Sequence, residues 1–308
     1  MRAIFLGLLL CASTGMAQPL AYVPNERSGT LSVIDTRLDK VIDELPAGSE
    51  PRGIAINGER IYVSDQPKNA LHVIHTGRRA IERTIKLGES PEGVSLSPDG
   101  RTVAVASELA NAVILVDAAS GRVLATIKTE GRNPEHAVFS PDGRWLYVSA
   151  EDASQVDVVE VAKKRQVASI PVGKRPRGIA FTPDGARAYV ACELANTVYA
   201  IDVRTHSVIA PIPAGSFSNG VAMHPDGRRV YVSNGRAGSV SVINTATNRV
   251  VATVAVGQRP WNMALTPDGR KLYVANGRSH NVSVIETATD RRVTDITVGN
   301  FPWGVAIR

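Results

Sequence analysis

Cysteine is scarce in this sequence, and its scarcity limits how the fold can be held together. The 308 residues contain two cysteines, Cys11 and Cys192. Residues 1–17 have the pattern of a cleavable signal peptide, in which an apolar run is followed by the small residues of Gly15-Met16-Ala17. Removal of this segment would leave Cys192 without a partner, so no intramolecular disulfide can form. We therefore expect an exported, periplasmic protein that begins at Gln18 and is stabilised by packing alone.

Long hydrophobic runs and blocks of like charge are also missing. The apolar run near the N-terminus is too short to span a bilayer, and no later stretch resembles a membrane span. The formal net charge is +6, but Lys and Arg are scattered singly among Asp and Glu. Such basicity predicts only weak, salt-screened attraction to polyanions. We expect residues 18–308 to form one domain, present as a monomer.

What the sequence does contain is a repeat. A short segment, usually Pro, a variable residue, Gly and an apolar strand, begins at residues 51, 91, 134, 176, 218, 260 and 302. Successive copies lie 40 to 43 residues apart, a period typical of solenoids and propellers. Each unit has four strand-like stretches separated by turn residues such as Pro-Asp-Gly, with no helical periodicity. Because four-stranded units repeated around an axis form a β-propeller, we predict an all-β fold of seven antiparallel blades.

The two ends of the repeat array complement each other. The seventh copy supplies one strand, in residues 302–308, whereas residues 20–46 supply only three strand-like stretches. Pairing the C-terminal strand with the N-terminal blade would complete that blade and close the ring. Closure would also remove exposed strand edges, which otherwise promote aggregation. We therefore predict that these two segments pair.

The repeat units resemble the YVTN family of β-propeller repeats. Close matches are Tyr231-Val232-Ser233-Asn234 and Tyr273-Val274-Ala275-Asn276, and the resemblance extends over residues 20–308. Within that family, the length and export signal are similar to exported seven-bladed proteins associated with pyrroloquinoline-quinone (PQQ)-dependent alcohol catabolism. The resemblance implies a non-catalytic accessory role beside quinoprotein dehydrogenases or transport components. It does not imply that this chain itself binds the quinone, and we predict no cofactor.

The residue after each repeated Pro or Ser varies while its surroundings repeat, which is how a scaffold carries function in its loops. We expect these positions to form a ring around one mouth of the central channel: Arg52, Glu92, Glu135, Arg177, Asn219, Trp261 and Trp303. The loops between second and third strands should open on the same face, with Glu26, Glu108, Glu151 and Glu193 on one arc and Asn234 and Asn276 on the other. An aromatic wall facing a polar arc suits a flat organic molecule or a protein partner's side chain. Solvated loop tips with the two Trp residues plugging the mouth would give the same pattern.

Glu135 and His136 support an alternative interpretation. In this copy alone His replaces the usual Gly, and a carboxylate beside an imidazole could perform acid–base catalysis of the lactonase or lyase type. A metal site requires three or more convergent ligands, and no second His occupies an equivalent position, so we predict no metal. Single-stranded nucleic acid binds aromatic side chains in a basic groove. The two Trp residues with Arg52, Arg236 and Arg278 would suit it, but the acidic residues on this face disfavour it. We therefore predict a non-catalytic binding module, with a channel-mouth enzyme as the alternative.

Overall fold

The computed structural model describes residues 19–308, and the predicted signal peptide lies outside the described residues. The described chain forms 28 β-strands and one short 3-10 helix, Glu151–Ala153. The strands assemble into seven antiparallel sheets of four strands each, which confirms the seven-bladed all-β prediction. Within residues 19–308, no helix is long and apolar enough to cross a membrane.

Six blades use four consecutive strands each, ordered from the channel outward. Blades 2 and 3 contain β4 (Pro51–Asn57), β5 (Arg60–Asp65), β6 (Ala70–His75), β7 (Ala80–Lys86), β8 (Pro91–Leu96), β9 (Thr102–Ser107), β10 (Ala112–Asp117) and β11 (Val123–Lys128). Blades 4 and 5 contain β12 (Pro134–Phe139), β13 (Trp145–Ala150), β14 (Gln155–Glu160), β15 (Arg165–Pro171), β16 (Pro176–Phe181), β17 (Arg187–Cys192), β18 (Thr197–Asp202) and β19 (Ser207–Pro213). Blades 6 and 7 contain β20 (Ser218–Met223), β21 (Arg229–Asn234), β22 (Ser239–Asn244), β23 (Arg249–Ala255), β24 (Pro260–Leu265), β25 (Lys271–Asn276), β26 (Asn281–Glu286) and β27 (Arg291–Thr297).

Blade 1 joins the two ends of the chain. It contains β1 (Leu20–Asn25), β2 (Thr30–Asp35), β3 (Lys40–Pro46) and, nearest the channel, β28 (Ala306–Ile307). Ala21 lies opposite Ile307 in the β1–β28 pair, and the backbone amide of Trp303 donates to the carbonyl of Pro24 at 2.9 Å. The predicted closure is therefore confirmed, although the regular part of the last strand is shorter than residues 302–308.

The core lies between neighbouring blades and is rich in β-branched side chains and tyrosine. Six tyrosines at equivalent positions of the second strands are fully buried: Tyr22, Tyr62, Tyr147, Tyr189, Tyr231 and Tyr273. Several of their hydroxyls bind the next blade, as when Tyr62 donates to the carbonyl of Ala118 at 2.8 Å, which satisfies a polar group that burial would otherwise penalise. Cys192 is fully buried, and burial raises the pKa of its thiol to about 12, so this side chain acts as a small core residue.

Candidate functional site

An irregularity at the start of each inner strand directs side chains to the channel mouth. In β4, Pro51 pairs with Asp65 and the next paired residue is Ile54, so Arg52 and Gly53 lie outside the ladder. The free amide of Gly53 donates instead to the hydroxyl of Ser64 at 2.9 Å. The same shift occurs in β8, β12, β16, β20 and β24. Because a bulge reorients the side chain that it carries, the residue after each repeated Pro or Ser faces the mouth.

All seven predicted ring positions line one cavity of about 570 Å³ at the mouth: Arg52, Glu92, Glu135, Arg177, Asn219, Trp261 and Trp303. The structure also places Arg278 in the wall and adds several residues that the sequence analysis did not name: Arg27, Gln66, Arg175, Phe217, Arg259, Asn262 and Phe301. This volume is within the usual range for small-molecule sites, about 300–1,000 Å³. The cavity wall is divided into a carboxylate half and an aromatic half.

Arg177 is the central cation of the carboxylate half. One of its terminal nitrogens lies 2.5 Å from Glu135 and 2.5 Å from Glu151, and its Nε lies 3.1 Å from Glu193. Arg175 also contacts Glu151 and Glu193, at 3.1 and 3.3 Å. These three carboxylates are buried, so the arginines supply the neutralisation that water cannot.

Arg52 has the equivalent role on the adjacent blades. Its guanidinium lies 2.9 Å from the carboxylate of Glu26 and forms a short ion pair with Glu92. The amide of Gln66 donates to the same oxygen of Glu92 at 3.1 Å. The hydroxyl of Ser90 donates to Glu108 at 2.7 Å. The carboxylate half is thus a network of charge-assisted hydrogen bonds.

The buried carboxylates have divergent pKa values. Burial and the neighbouring charge of Glu135 raise the pKa of Glu92 well above its ordinary value, despite Arg52. Burial and Glu135 likewise raise the pKa of Glu151 to about 7, against Arg177 and Arg175. Burial alone would also raise the pKa of Glu135, but Arg177 holds it below its ordinary value. The surroundings therefore favour the ionised form of Glu135 and the protonated forms of Glu92 and Glu151.

Glu92, Glu108 and Glu135 present carboxylate oxygens within 4.8 Å of one another. Three convergent carboxylates are the ligands that hard cations prefer. However, Glu92 and Glu135 are already bound by Arg52 and Arg177. The positive charge that a cation would supply is therefore provided by arginine, and the cluster alone does not define a metal site.

The aromatic half is formed by blades 5, 6 and 7 and the start of blade 1. Its cavity-lining side chains are Phe217, Trp261, Phe301 and Trp303. The rings of Trp261 and Phe301 are 6.5 Å apart between centroids, at an interplanar angle of 44°. The guanidinium of Arg27 lies 4.0 Å from the centroid of Phe301, within cation–π range. This wall presents ring faces and guanidinium groups to the cavity.

His136 does not line the cavity. Its ring lies 5.6 Å from that of Trp303 between centroids and occupies space left by Gly93, where an added Cβ would lie 2.4 Å from His136 Nδ1. Burial lowers the pKa of His136 despite the attraction of Glu135, so the imidazole is neutral at pH 7. Its Nε2 is buried and has no hydrogen-bond partner in the described chain.

The structure places Asn234 and Asn276 away from the mouth, contrary to the sequence analysis. Both are fully buried. The Asn234 amide donates to Ser239 and Ser241, at 3.1 and 2.9 Å, and the Asn276 amide bonds within its own blade in the same way. These residues end the second strands, so their side chains point into the sheet. The next residue in each loop is the one that faces the mouth.

Four of the cavity residues that the sequence analysis missed share a detectable position. Arg175, Phe217, Arg259 and Phe301 each directly precede a repeated Pro or Ser. All four have a left-handed backbone, with φ between 54° and 61°. This conformation turns the chain, so that the residue before each Pro or Ser and the residue after it both reach the mouth. The residue type before the repeated Pro or Ser varies among the copies, as does the residue type after it. This variability is the feature of the sequence that could have identified these four residues as site residues.

The comparisons with known proteins define the family. The chain matches the model of the family described as lactonase, 7-bladed beta-propeller over residues 78–167 and 162–302. These segments cover most of the chain, which therefore belongs to this family. No curated protein matches the chain significantly. These matches do not test the predicted YVTN resemblance or the association with PQQ, and both stay predictions.

Two solved structures are similar to the chain. One is the Kuenenia stuttgartiensis hydrazine synthase, at 24% identity and a TM-score of 0.81, covering 92% of this chain and 100% of that chain. The other is a functionally unknown protein from Desulfotomaculum acetoxidans DSM 771, at 17% identity and a TM-score of 0.83, covering 94% and 98%. At these identities the likeness shows the fold alone.

Proposed function

We propose that this protein is an exported, non-catalytic binding module whose ligand or partner occupies the channel mouth. We further propose that it is an accessory to a periplasmic PQQ-dependent oxidation or transport system. The observation that carries the binding role is the cavity of about 570 Å³ with four aromatic side chains on one half of its wall. Aromatic side chains beside convergent polar groups are a feature of small-molecule sites, although the rest of this wall is more highly charged than in most such sites.

The ionic network favours binding over catalysis. A general base must be free to accept a proton from its substrate, but Glu135 is held by Arg177 at 2.5 Å and its pKa is lowered. His136 has a neutral imidazole, yet its Nε2 is buried and does not line the cavity. The two residues of the enzyme alternative are thus held in place by their neighbours.

The family description supports one second candidate, a lactonase. In that case the neutral imidazole of His136 would accept a proton from water at Nε2 as the water oxygen attacks the lactone carbonyl. The ring C–O bond would then break, and the imidazolium would return the proton to the leaving alkoxide. The unpartnered Nε2 is the observation that favours this activity. Its burial opposes it, because the attacking water must reach that nitrogen.

Tryptophan fluorescence of the mature protein tests the proposal. The titrants are PQQ, aromatic alcohols, divalent metals and short single-stranded DNA. Trp261 and Trp303 line the cavity, whereas Trp145 packs edge-to-face on His206, 4.8 Å away between centroids. A saturable change that is lost in Trp261→Ala and retained in Trp145→Phe would support the binding role. Silence across the panel would overturn a small-ligand site.

The alternative activity and the accessory role need separate assays. Hydrolysis of a lactone panel that is abolished in His136→Ala, with an unchanged melting temperature, would replace the binding role with the enzyme. Export is tested by cell fractionation and by N-terminal sequencing of the mature protein, which should begin at Gln18. The accessory role predicts that deleting the gene lowers PQQ-dependent alcohol oxidation in the periplasm. Unchanged oxidation would refute that role.

A further inference from the structure

The arginines of the mouth fall into two groups. Four of the six that line the cavity form ion pairs with carboxylates: Arg52, Arg175, Arg177 and Arg259. Arg27 and Arg278 are exposed and form no ion pair with any residue in 19–308. Both belong to the aromatic half. Their positive charge is therefore available to a ligand.

These free cations lie beside the aromatic rings. The guanidinium of Arg27 lies 4.0 Å from the centroid of Phe301. Arg278 follows Gly277, and an added Cβ at Gly277 would lie 2.7 Å from the six-membered ring of Trp261. The Trp261 ring thus lies directly against the backbone next to Arg278. Glycine at residue 277 permits this approach, since any side chain would displace the ring.

A second cavity extends the positive surface outward. It has a volume of about 390 Å³ and shares Arg259 and Arg278 with the mouth. It adds Arg236, which is exposed and has no carboxylate partner in the described part of the chain. The guanidinium of Arg236 lies 5.6 Å from the centroid of Phe217. Three unpaired guanidinium groups therefore border one aromatic wall.

We propose that the ligand of the mouth is a small planar aromatic anion that lies against Trp261 and Phe301, with its anionic groups directed to Arg27 and Arg278. This inference rests on the proposed binding function. An aromatic ligand can stack on aromatic side chains. One guanidinium group can donate two parallel hydrogen bonds to the oxygens of a carboxylate or phosphate. The arginines of the carboxylate half are already paired with glutamates, so an anion finds unpaired cations only in the aromatic half. The enclosed volume fits a small molecule better than a polymer.

Isothermal titration calorimetry with matched compounds tests the charge requirement. The probes are naphthalene-2,6-dicarboxylate and its neutral dicarboxamide, which share the same ring. The dicarboxylate should bind at least about tenfold more tightly at low salt, because each charge-assisted hydrogen bond contributes roughly this factor. Arg278→Gln and Arg27→Gln should each weaken the dicarboxylate about tenfold. Arg204→Gln is the matched control, since Arg204 is exposed on the turn between β18 and β19, outside the cavity.

The outcomes separate this inference from the binding function. Equal affinity for dicarboxylate and dicarboxamide, both lost in Trp261→Ala, would overturn the anion and leave the binding module intact. The anion would also be overturned if neither naphthalene compound gave heat while an uncharged ligand from the fluorescence panel did bind. No binding by any compound would overturn the small-ligand site and this inference with it, and would leave a protein partner as the occupant of the mouth. Tighter, length-dependent binding of a 12-nucleotide oligothymidylate that displaces the dicarboxylate would assign the surface to nucleic acid instead.

Discussion

Replacing Arg177 by Gln should destabilise the protein, and the loss should depend on pH. The Arg177 side chain is 12% exposed and is the shared counter-charge of Glu135, Glu151 and Glu193. Glutamine retains some hydrogen bonding but removes the charge. Three buried carboxylates then lose the cation that offsets their desolvation.

The size of the loss follows from which partners remain. Removing one member of a buried ion pair costs about 3–5 kcal/mol. Arg175 and Arg259 still contact Glu193, at 3.3 and 2.7 Å, so we expect the lower end of this range, about 3 kcal/mol at pH 8. Arg177 is the strongest of the groups that oppose the effect of burial on Glu135, so without it the pKa of Glu135 should rise. The variant then takes up a proton as the pH falls, and at pH 5 the loss should shrink to about 1 kcal/mol.

Urea unfolding of the purified mature protein at pH 8 and pH 5 measures both values. Arg60→Gln is the matched control, because Arg60 pairs with Glu82 at 2.6 Å with its side chain 43% exposed. Exposed pairs contribute about 0–1 kcal/mol, so this control should change little at either pH. A loss below about 1 kcal/mol for Arg177→Gln at pH 8, or a larger loss at pH 5, would refute the reasoning.

Three further results are expected. Gly220→Ala should lower the melting temperature clearly more than Gly304→Ala. An added Cβ at Gly220 would lie 2.4 Å from the carbonyl oxygen of Trp261, whereas one at Gly304 would lie 3.4 Å from its nearest neighbour. Equal shifts in melting temperature would contradict this. Ionised Glu151 is disfavoured in the folded state, so stability should fall as the pH rises from about 4.5 through 7. Glu151→Gln should reduce that fall in thermal melts, and an unchanged pH profile would count against it. Ending the chain before residue 303 should lower the melting temperature and cause association in size-exclusion chromatography, whereas a stable monomer would argue against closure as a source of stability.

The fold was predictable because a repeat with defined turn chemistry leaves few architectures. Seven copies at a nearly constant interval imply seven equivalent units, and the Pro-Asp-Gly turns separate their strands. The ring positions were predictable for the same reason, since equivalent residues of a closed array must face the same channel. Closure followed from the incomplete units at the two ends, which Ala21 and Ile307 complete by pairing.

The partners of each side chain were less predictable. The sequence places Arg177 and Glu135 on neighbouring blades, but nothing local specifies that one guanidinium serves three carboxylates. The same holds for His136, whose replacement of Gly suggested catalysis. In the structure its ring fills the space beside Gly93 and packs near Trp303. These contacts join residues of different blades, so periodicity does not encode them.

The error at Asn234 and Asn276 leads to the origin of the charge asymmetry. Both asparagines align with Asn25, Ala150 and Cys192 at the ends of second strands, so the mouth-facing position is the following residue. In blades 1, 3, 4 and 5 that residue is glutamate: Glu26, Glu108, Glu151 and Glu193. In blades 6 and 7 it is Gly235 and Gly277. A glutamate at residue 277 would displace the ring of Trp261 and would add a carboxylate to the aromatic half. Two glycines at one repeat position therefore keep carboxylates off this position in blades 6 and 7 and leave the aromatic wall open. Gly277→Glu should abolish binding of an aromatic anion while leaving the carboxylate half unchanged.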